Sequence, residues 1–290
     1  MAAIVEIRDV VKRYPDFTLG PLSLSVPGGC ITGLFGPSGS GKTTLAKILA
    51  DIHRPNSGTV ELFGLTYRTS EKEIKNRIGY VGEEQFFPKD RTVGWVARYV
   101  AQFYRTWEWE TFRDLAGRFS LDEGKQVGAL SRGRRAMLAL AVALAHDAEL
   151  LILDEPTAGL DMIVRRDILD ALREFVADES RAVLIASHVT DALADVSDYV
   201  ALLDTGRIVL HEEKDELLSD WKWMHFRDDA LPEPTVARLK LLRSGQLGTA
   251  GLTHEYRRLR PEIEASEAAG RVRVANATLD DIMIALVKGR

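Results

Sequence analysis

The sequence predicts an α/β fold in which a mostly parallel sheet carries helices on its faces. One observation is an apolar run, Cys30–Phe35, that leads into the glycine-rich segment Gly36–Gly41 and then into a helical pattern. Another is that later apolar runs alternate with helical patterns, which is typical of parallel strands joined by right-handed crossovers. The later predicted strands are Leu150–Asp154, Ala182–Ser187 and Tyr199–Asp204, and the predicted helices between them are Arg165–Val176 and Thr190–Val196.

Shorter β patterns extend this core. Near the start of the chain, Ile4–Val10 and Phe17–Val26 alternate apolar and polar residues, which predicts an N-terminal antiparallel β element. After the last predicted strand, Asp204-Thr205-Gly206 stands between two apolar runs. That segment predicts a hairpin turn at the end of the sheet.

Two segments interrupt the alternation. Thr92–Ala145 is helical in pattern and rich in aromatic residues, so we expect a helical subdomain inserted at about 90–148. Beyond about Glu212 the composition changes, and two prolines follow at Pro232 and Pro234. We therefore predict a main domain at 1–211 and a small C-terminal appendage at 212–290. Ala277–Leu286 predicts a short capped helix within the appendage.

The composition excludes several classes of protein. The 290 residues are 46% hydrophobic and 28% charged with a net charge of −5, which fits a globular protein with a sizeable core. Lysine and arginine form no cluster, so we expect no nucleic-acid partner. The single cysteine, Cys30, rules out an intramolecular disulfide. Charges at Glu6, Arg8 and Asp9 disfavour a signal peptide, and the apolar stretches are too short to span a bilayer.

The glycine-rich segment satisfies the pattern G-x-x-x-x-G-K-[ST], in which backbone N–H groups and a helix N-terminus cradle phosphates. Lys42 would supply a cation for the β- and γ-phosphates, and the Thr43 hydroxyl would ligate Mg²⁺. The alternative is a glycine-rich turn that matches by chance, which the preceding strand and following helix disfavour. The segment reads Gly36-Pro37-Ser38-Gly39-Ser40-Gly41-Lys42-Thr43-Thr44.

A second candidate element is the acidic pair that ends the apolar run Leu150–Leu153. Asp154 and Glu155 would lie at the carboxyl edge of the sheet, beside the glycine loop. Asp154 would hold Mg²⁺ through its water shell, and Glu155 would polarise the attacking water. The alternative is an acidic helix cap after a core strand.

Three further motifs indicate a family. Ser131 and Gly133 open a helical pattern, Asp161 follows the acidic pair, and His188 follows a predicted strand. Taken singly, the serine is a helix cap and the histidine a solvated or core residue. In this order, however, the chain resembles the nucleotide-binding subunit of a bacterial ABC transporter, of an exporter-like branch, over roughly residues 3–211. The resemblance implies a P-loop NTPase core that hydrolyses ATP with Mg²⁺ and drives transport.

The resemblance also implies roles for single residues. Lys42, Glu155 and His188 would be catalytic, with His188 contacting the γ-phosphate. Ser131 and Gly133 would contact the ATP held by a second subunit, so the chain is expected to dimerise, as a homodimer or with a close paralogue. Asp161 would touch the partner's phosphate loop. Tyr14 resembles the aromatic residue that stacks on adenine.

A separate transmembrane permease is the other implied partner, and it would hold this chain at the cytoplasmic face of the membrane. Aromatic residues in the helical insert are candidates for that contact, although most are expected to pack the insert's own core. Trp107 is the residue we single out for docking. The aromatic residues concerned are Trp95, Tyr99, Phe103, Tyr104, Trp107 and Trp109.

The sequence departs from the family's motifs at several positions. Glu83 stands where the family has a glutamine, and it is expected to reach a Mg²⁺-bound water; Gln85 would require a two-residue shift. Arg132 replaces a glycine and Arg134 a glutamine of the signature motif. Met162 stands where a proline commonly follows the aspartate.

Two other classes of protein remain open. One is a soluble ABC ATPase that acts in DNA repair or translation, although such proteins usually carry two cassettes or a long coiled-coil insertion. The other is a different P-loop enzyme, such as a small-molecule kinase. It would explain the glycine loop but would leave Ser131, Asp161 and His188 without a role.

Overall fold

The structure is a computed structural model that describes residues 2–84, 86–189, 191–227, 230–245 and 248–288. Gln85 and Thr190, which figure in the sequence predictions, lie outside these ranges. The chain forms two compact units, Met1–His211 and Glu212–Arg290. Within the described ranges, no helix is long and apolar enough to cross a membrane.

The first unit alternates strands and helices along most of its length. In chain order its elements, the last of which ends just past the unit boundary, are β1 (Ala3–Arg13), β2 (Thr18–Pro27), β3 (Cys30–Phe35), α1 (Lys42–Leu49), β4 (Ser57–Leu62), α2 (Tyr67–Arg77), β5 (Ile78–Val81), α3 (Val93–Ala101), α4 (Trp109–Arg118), a 3₁₀ turn (Val127–Ala129), α5 (Arg132–Leu144), β6 (Leu150–Asp154), α6 (Met162–Val176), β7 (Ala182–Ser187), α7 (Asp191–Ala194), β8 (Tyr199–Asp204) and β9 (Arg207–Glu213).

A six-stranded sheet forms the centre of this unit, in the order β5-β6-β7-β3-β8-β9. The pairs β5–β6, β6–β7, β7–β3 and β3–β8 are parallel. Every residue of β3, β6 and β7 is buried, because helices cover both faces of a parallel sheet. The predicted fold class, an α/β protein with a parallel core, is confirmed.

A two-residue turn joins β8 to β9, as predicted from the sequence. Thr205 and Gly206 both have positive φ, 45° and 80°, as in the tight turns that match the twist of paired strands. The N–H of Gly206 donates to the Ser40 carbonyl at 3.0 Å, and its own carbonyl accepts from Gly20 at 2.6 Å. The turn therefore ties the glycine-rich loop to the start of β2.

A second sheet, ordered β2-β1-β4, is antiparallel and packs beside the central one. Its inward residues on β1, such as Val5 and Ile7, share an apolar core with Leu45 and Leu49 of α1. The sequence patterns predicted β1 and β2 but gave no strand at Ser57–Leu62. The physical reason is that β4 is largely exposed and begins with Ser57 and Gly58, so it lacks a clear apolar alternation.

The helical insert consists of α3, α4 and α5. Arg134 of α5 donates to the Phe119 carbonyl at 2.6 Å and also to that of Ser120, which ties α5 to the end of α4. The far end of α5 packs on β5, since a Cβ at Gly79 would lie 3.1 Å from that of Ala143. Helix α5 therefore belongs both to the insert and to the layer that covers the central sheet.

The second unit has a topology that the sequence patterns did not reveal. Its strands and helices follow the order of a split βαβ motif, and the neighbouring strands pair antiparallel in the order β11-β12-β10-β13. The elements are α8 (Lys214–Asp220), β10 (Lys222–Phe226), α9 (Glu233–Val236), β11 (Lys240–Gly245), β12 (Gly248–Thr253), α10 (Tyr256–Ala268), β13 (Val272–Asn276) and α11 (Leu279–Lys288).

One face of this second sheet packs on its helices. Met224 and Phe226 of β10 share a core with Leu259 and Ile263 of α10. The capped helix predicted near the end of the chain is present as α11. Its start is a reciprocal capping box: the Thr278 hydroxyl accepts from the N–H of Asp281 at 3.2 Å, and the Asp281 carboxylate accepts from the N–H of Thr278 at 3.0 Å.

Candidate active site

A cleft of about 680 Å³ opens where the glycine-rich loop leaves the carboxyl end of β3. It brings together Lys42, Thr43, Glu83, Glu155 and His188, which are distant in sequence. The carboxyl ends of parallel strands are where α/β folds of this kind bind their ligands. The sequence had predicted these five residues to act at one site. Asp16 and Phe17, which the sequence patterns did not single out, line the same cleft.

Glycines shape the loop for two different reasons. At Gly36 a Cβ would lie 2.1 Å from the Leu203 carbonyl oxygen, and at Gly41, with φ of 109°, it would lie 2.7 Å from the Leu19 side chain. The close backbone therefore requires glycine at position 36, and the left-handed φ favours it at position 41. At Gly39, with φ of 80°, a Cβ would meet nothing within 4 Å, so this crest of the loop faces open space in the cleft.

Lys42 folds back onto this loop. Its ammonium donates to the carbonyl of Gly36 at 2.8 Å and to that of Pro37 at 3.0 Å, and the residue is only 6% exposed. Burial lowers the pKa of Lys42, while the nearby charges of Glu155 and Asp154 oppose that change. A desolvated cation that is bonded to carbonyl groups is well suited to neutralise an anion that enters the loop.

Asp154 is almost fully buried at the end of β6. Its carboxylate accepts a hydrogen bond from the Thr43 hydroxyl, with 3.1 Å between Oγ1 and Oδ1. Burial raises the pKa of Asp154; the Thr43 bond opposes this, and the charges of Glu155 and Glu83 reinforce it. Among the residues that the structure describes, no group of three or more His, Cys, Asp or Glu side chains forms a ready metal cage. A hydroxyl and a carboxylate suit Mg²⁺, which keeps several waters and binds substrate phosphates.

Two neighbouring residues hold the Glu155 carboxylate: Ser187, which ends β7, and His188, which follows it. Its Oε1 accepts from the backbone N–H of His188 at 2.9 Å and lies 2.7 Å from Nδ1 of the same histidine. Its Oε2 accepts from the Ser187 hydroxyl at 3.1 Å. The backbone of Glu155 is left-handed, with φ of 51°, and its N–H donates to the Ala186 carbonyl. A strained backbone and three donors on one carboxylate are typical of a residue placed for chemistry. Ser187 is a site residue that the sequence reasoning missed.

Ser131, Gly133 and Asp161 lie elsewhere: within the described part of the chain, none of the three lines the cleft. The Ser131 hydroxyl caps α5 by accepting from the N–H of Arg134, and Asp161 caps α6 by accepting from the N–H groups at 163 and 164. The two helix starts adjoin, because a Cβ at Gly133 would lie 3.2 Å from the Val164 side chain. Ser131 and Asp161 are exposed.

The two arginines that depart from the family's signature have structural contacts. The Arg132 guanidinium lies beside Gly159, with its Nη1 3.0 Å from where a Cβ of that glycine would be. Arg134 bonds the carbonyls at the end of α4, as described above. Met162, which stands in place of the expected proline, is 83% exposed at the start of α6.

Two aromatic residues, Tyr14 and Phe17, lie between β1 and β2. The hydroxyl of Tyr14 lies 2.9 Å from Nδ1 of His53, and among the described residues Tyr14 does not line the cleft. Phe17 does line it, and its ring lies 2.9 Å from where a Cβ of Gly41 would be. Phe17 therefore presents an aromatic ring to this cleft.

The aromatic residues of the insert divide into packed and exposed groups. Trp107 packs against Trp109 and Phe112, with its indole nitrogen buried, so it belongs to the insert's own core. Tyr99 and Phe103 of the α3 segment are instead 49% and 64% exposed. They continue a row that starts at Trp95, whose ring stacks on that of Tyr99 at 5.0 Å.

Comparison with known proteins is consistent with this geometry. The sequence model of the family described as "ABC transporter" matches residues 19–158. The Nod factor export ATP-binding protein I of Burkholderia orbicola is 32% identical over 212 residues, which cover 71% of this chain and 69% of that protein. This chain belongs to the ABC transporter family of ATP-binding proteins. The resemblance inferred from the sequence motifs is thereby confirmed.

Other relatives in the ABC family define the extent of the likeness. The sulfate/thiosulfate import ATP-binding protein CysA of Mycolicibacterium paratuberculosis is 34% identical over 211 residues, or 70% of this chain, which spans 58% of that relative's length. A solved structure described as the ATP-binding subunit of an ABC transporter superposes with a TM-score of 0.69. It covers 74% of this chain and 92% of its own, at 21% identity, and so shows the shared fold.

Proposed function

We propose that this ABC protein binds ATP with Mg²⁺ in the cleft, hydrolyses it, and thereby powers transport through a separate membrane subunit. The observation that carries the proposal is the arrangement around Glu155. Its carboxylate, bonded to His188, faces the same cleft as Lys42 and Thr43. An acceptor for a water proton thus lines the same cleft as a cradle for phosphates.

Each residue has a distinct role in this reaction. The loop N–H groups and Lys42 bind the triphosphate, while Thr43 and Asp154 would hold Mg²⁺ and Glu83 would act on it through water. The ion would supply positive charge for the phosphate oxygens. Glu155 orients the attacking water and accepts its proton. His188 bonds the γ-phosphate, and Tyr14 or Phe17 packs on the base; the cleft lining favours Phe17.

The functional unit we propose is a dimer that sandwiches two ATP molecules. Ser131 and Gly133 of one copy would complete the site of the other, with Asp161 beside them. Two features support this: these residues lie outside their own chain's cleft, and Ser131 and Asp161 are exposed at two helix starts that adjoin. ATP would bridge the two copies, and hydrolysis would remove the bridge.

The direction of transport is proposed to be export. The relative named for Nod factor export favours this direction, and so does the resemblance of the sequence to an exporter-like branch. The relative named for sulfate import shows that similar chains also serve import. ATP-driven flux in membrane vesicles that contain the co-purified permease would decide: accumulation on the side opposite this chain supports export, and accumulation on its own side refutes it.

The decisive test of the proposed function is Glu155→Gln. The amide removes the proton acceptor but keeps the size of the side chain, so we expect ATP binding without turnover and a dimer trapped by ATP and Mg²⁺. Phosphate release and light scattering would measure the two effects, with the exposed Glu179→Gln as the control. Wild-type turnover in the Glu155→Gln variant would refute the hydrolytic role of Glu155. A variant that stays monomeric in ATP and Mg²⁺ would refute the sandwich dimer.

A further inference from the structure

Ser187, the last residue of β7, and His188, which follows it, both donate hydrogen bonds to the carboxylate of Glu155, the proposed catalytic base. The N–H of His188 donates to Oε1 of Glu155 and the Ser187 hydroxyl donates to Oε2, so both oxygens are fixed by consecutive residues. The imidazole of His188 adds a third contact at Oε1. The side chain of His188 has more room to move than that of Ser187, because it is 49% exposed whereas Ser187 is 1% exposed.

The direction of the Ser187 hydroxyl proton follows from its other neighbours. The hydroxyl oxygen accepts from the N–H of Val189 at 3.0 Å, which leaves its single proton to be donated. Two acceptors are within reach: Oε2 of Glu155 at 3.1 Å and the Val189 carbonyl at 3.4 Å. The carboxylate is the nearer of the two and carries charge, so it accepts the hydrogen bond from the Ser187 hydroxyl.

We infer that Ser187 is the positioning residue that keeps Glu155 aimed at the attacking water when the His188 imidazole turns to the γ-phosphate. The inference rests on the proposed hydrolysis, in which His188 contacts the phosphate. When the imidazole bonds the phosphate, its contact with Oε1 of Glu155 is weakened. Ser187 is buried at the end of a strand, so its side chain does not move with the imidazole. Its hydroxyl therefore continues to bond Oε2 of Glu155. The carboxylate thus keeps its orientation through the step in which it accepts the proton.

The variant Ser187→Ala tests this role. We expect kcat to fall by about tenfold while the KM for ATP stays nearly unchanged, because the lost hydrogen bond orients the base and does not touch the nucleotide. Ser187→Thr, which keeps the hydroxyl, is expected to restore most of the rate. ATP binding and ATP-dependent dimerisation are expected to persist in both variants, as in the wild type.

A matched control separates positioning from packing. Ser197 is also fully buried, and its hydroxyl has no hydrogen-bond partner within the described structure, so Ser197→Ala should leave kcat unchanged. Thermal unfolding of all three variants checks the fold. A wild-type kcat in Ser187→Ala, a matching rise in KM, or no recovery in Ser187→Thr would overturn the inference. The proposed function itself fails separately, if wild type and Glu155→Gln hydrolyse ATP equally.

Discussion

Thr43 and Asp154 are joined by a hydrogen bond of 3.1 Å although 111 positions separate them in the chain. The sheet order explains how they meet. Thr43 is the second residue of α1, which follows β3, Asp154 ends β6, and only β7 lies between β3 and β6. Parallel strands bring their carboxyl ends to one edge, so the hydroxyl and the acid converge there. We propose this pair as the Mg²⁺ contact of the site.

Asp154→Asn tests that pair. The amide can still bond Thr43 but lacks the charge that holds a hydrated cation, so we expect apparent Mg²⁺ affinity to fall by about 10- to 100-fold. Titration of Mg²⁺ into the ATP complex, followed by nucleotide fluorescence, measures the change. Asp178→Asn, an exposed acid that does not line the cleft, is the control. An unchanged Mg²⁺ titration in Asp154→Asn would remove this residue from the metal site.

The crest of the glycine loop gives a second prediction. Gly39→Ala places a methyl group in the open cleft at a left-handed residue, so we expect a loss of stability of about 1–2 kcal/mol together with weaker ATP binding. Gly64 is the matched control, because it also has positive φ with nothing within 4 Å of a Cβ, and it does not line the cleft. Scanning calorimetry on both variants measures the change in stability, and titration calorimetry measures the change in ATP affinity. Equal ATP affinity in the two variants would show that the crest does not approach the phosphates.

The strands and motifs of the central sheet could be predicted from the sequence because burial on both faces leaves unbroken apolar runs. Cys30–Phe35 and Leu150–Asp154 are such runs, and each ends at residues of the candidate site. Strand β4 was missed because it is largely exposed, and β5 because four residues are too few for a pattern. The topology of the second unit was missed for a related reason: its short strands define a topology only through long-range pairing.

Individual site residues were predictable where a motif fixed their position. Ser187 had no such signal, since a serine at the end of an apolar run looks like part of the strand. Its role depends on Glu155, which is 32 positions away along the chain. Which of Tyr14 and Phe17 lines the cleft likewise depends on how the segment between β1 and β2 bends, which the composition of that segment does not specify.

The buried ammonium of Lys42 predicts a proton linkage. Burial lowers its pKa below 10.5, so in the free protein it loses its proton at a lower pH than an ordinary lysine. A bound triphosphate favours the charged form and raises that pKa again. ATP binding is therefore expected to take up protons at alkaline pH below 10.5, and ATP affinity is expected to fall as the pH rises through this range.

Calorimetry in buffers of different ionisation enthalpy would measure this uptake. Lys42→Met removes the titrating group and should abolish the alkaline uptake as well as weaken binding. The same lowered pKa affects stability: the unfolded chain binds more protons in this window, so Lys42 contributes a rise in stability with pH. An absence of proton uptake in the wild type would show that Lys42 does not meet the phosphates.

The charge of the cleft predicts a strong dependence on the metal. Asp16, Glu83 and Glu155 line it together with Lys42, and Asp154 lies beside Thr43. Metal-free ATP, itself an anion, should therefore bind weakly. Glu83→Gln removes one negative charge and is expected to strengthen metal-free binding by about fivefold, or on the order of 1 kcal/mol.

The Glu83 prediction is checked by nucleotide titrations in chelator and in excess Mg²⁺. Glu83→Gln should also reduce the difference in ATP affinity between chelator and excess Mg²⁺, because the variant lacks a negative charge that attracts the cation. Glu61→Gln, on β4 and away from the cleft lining, is the control. If Glu83→Gln left metal-free affinity unchanged, the glutamate would lie too far from the nucleotide to act on Mg²⁺.

The exposed aromatic row of the insert predicts where a membrane subunit docks. Tyr99→Ala and Phe103→Ala remove exposed rings, so we expect stability and ATP binding to persist while co-purification of the permease weakens. Trp107→Ala should instead lower thermal stability, because its ring packs on Phe112. Ile52→Ala, an exposed apolar residue outside the insert, controls for a general loss of apolar surface. If permease recovery with Tyr99→Ala and Phe103→Ala equalled that of the Ile52 variant, the docking surface would have to be sought elsewhere on the first unit.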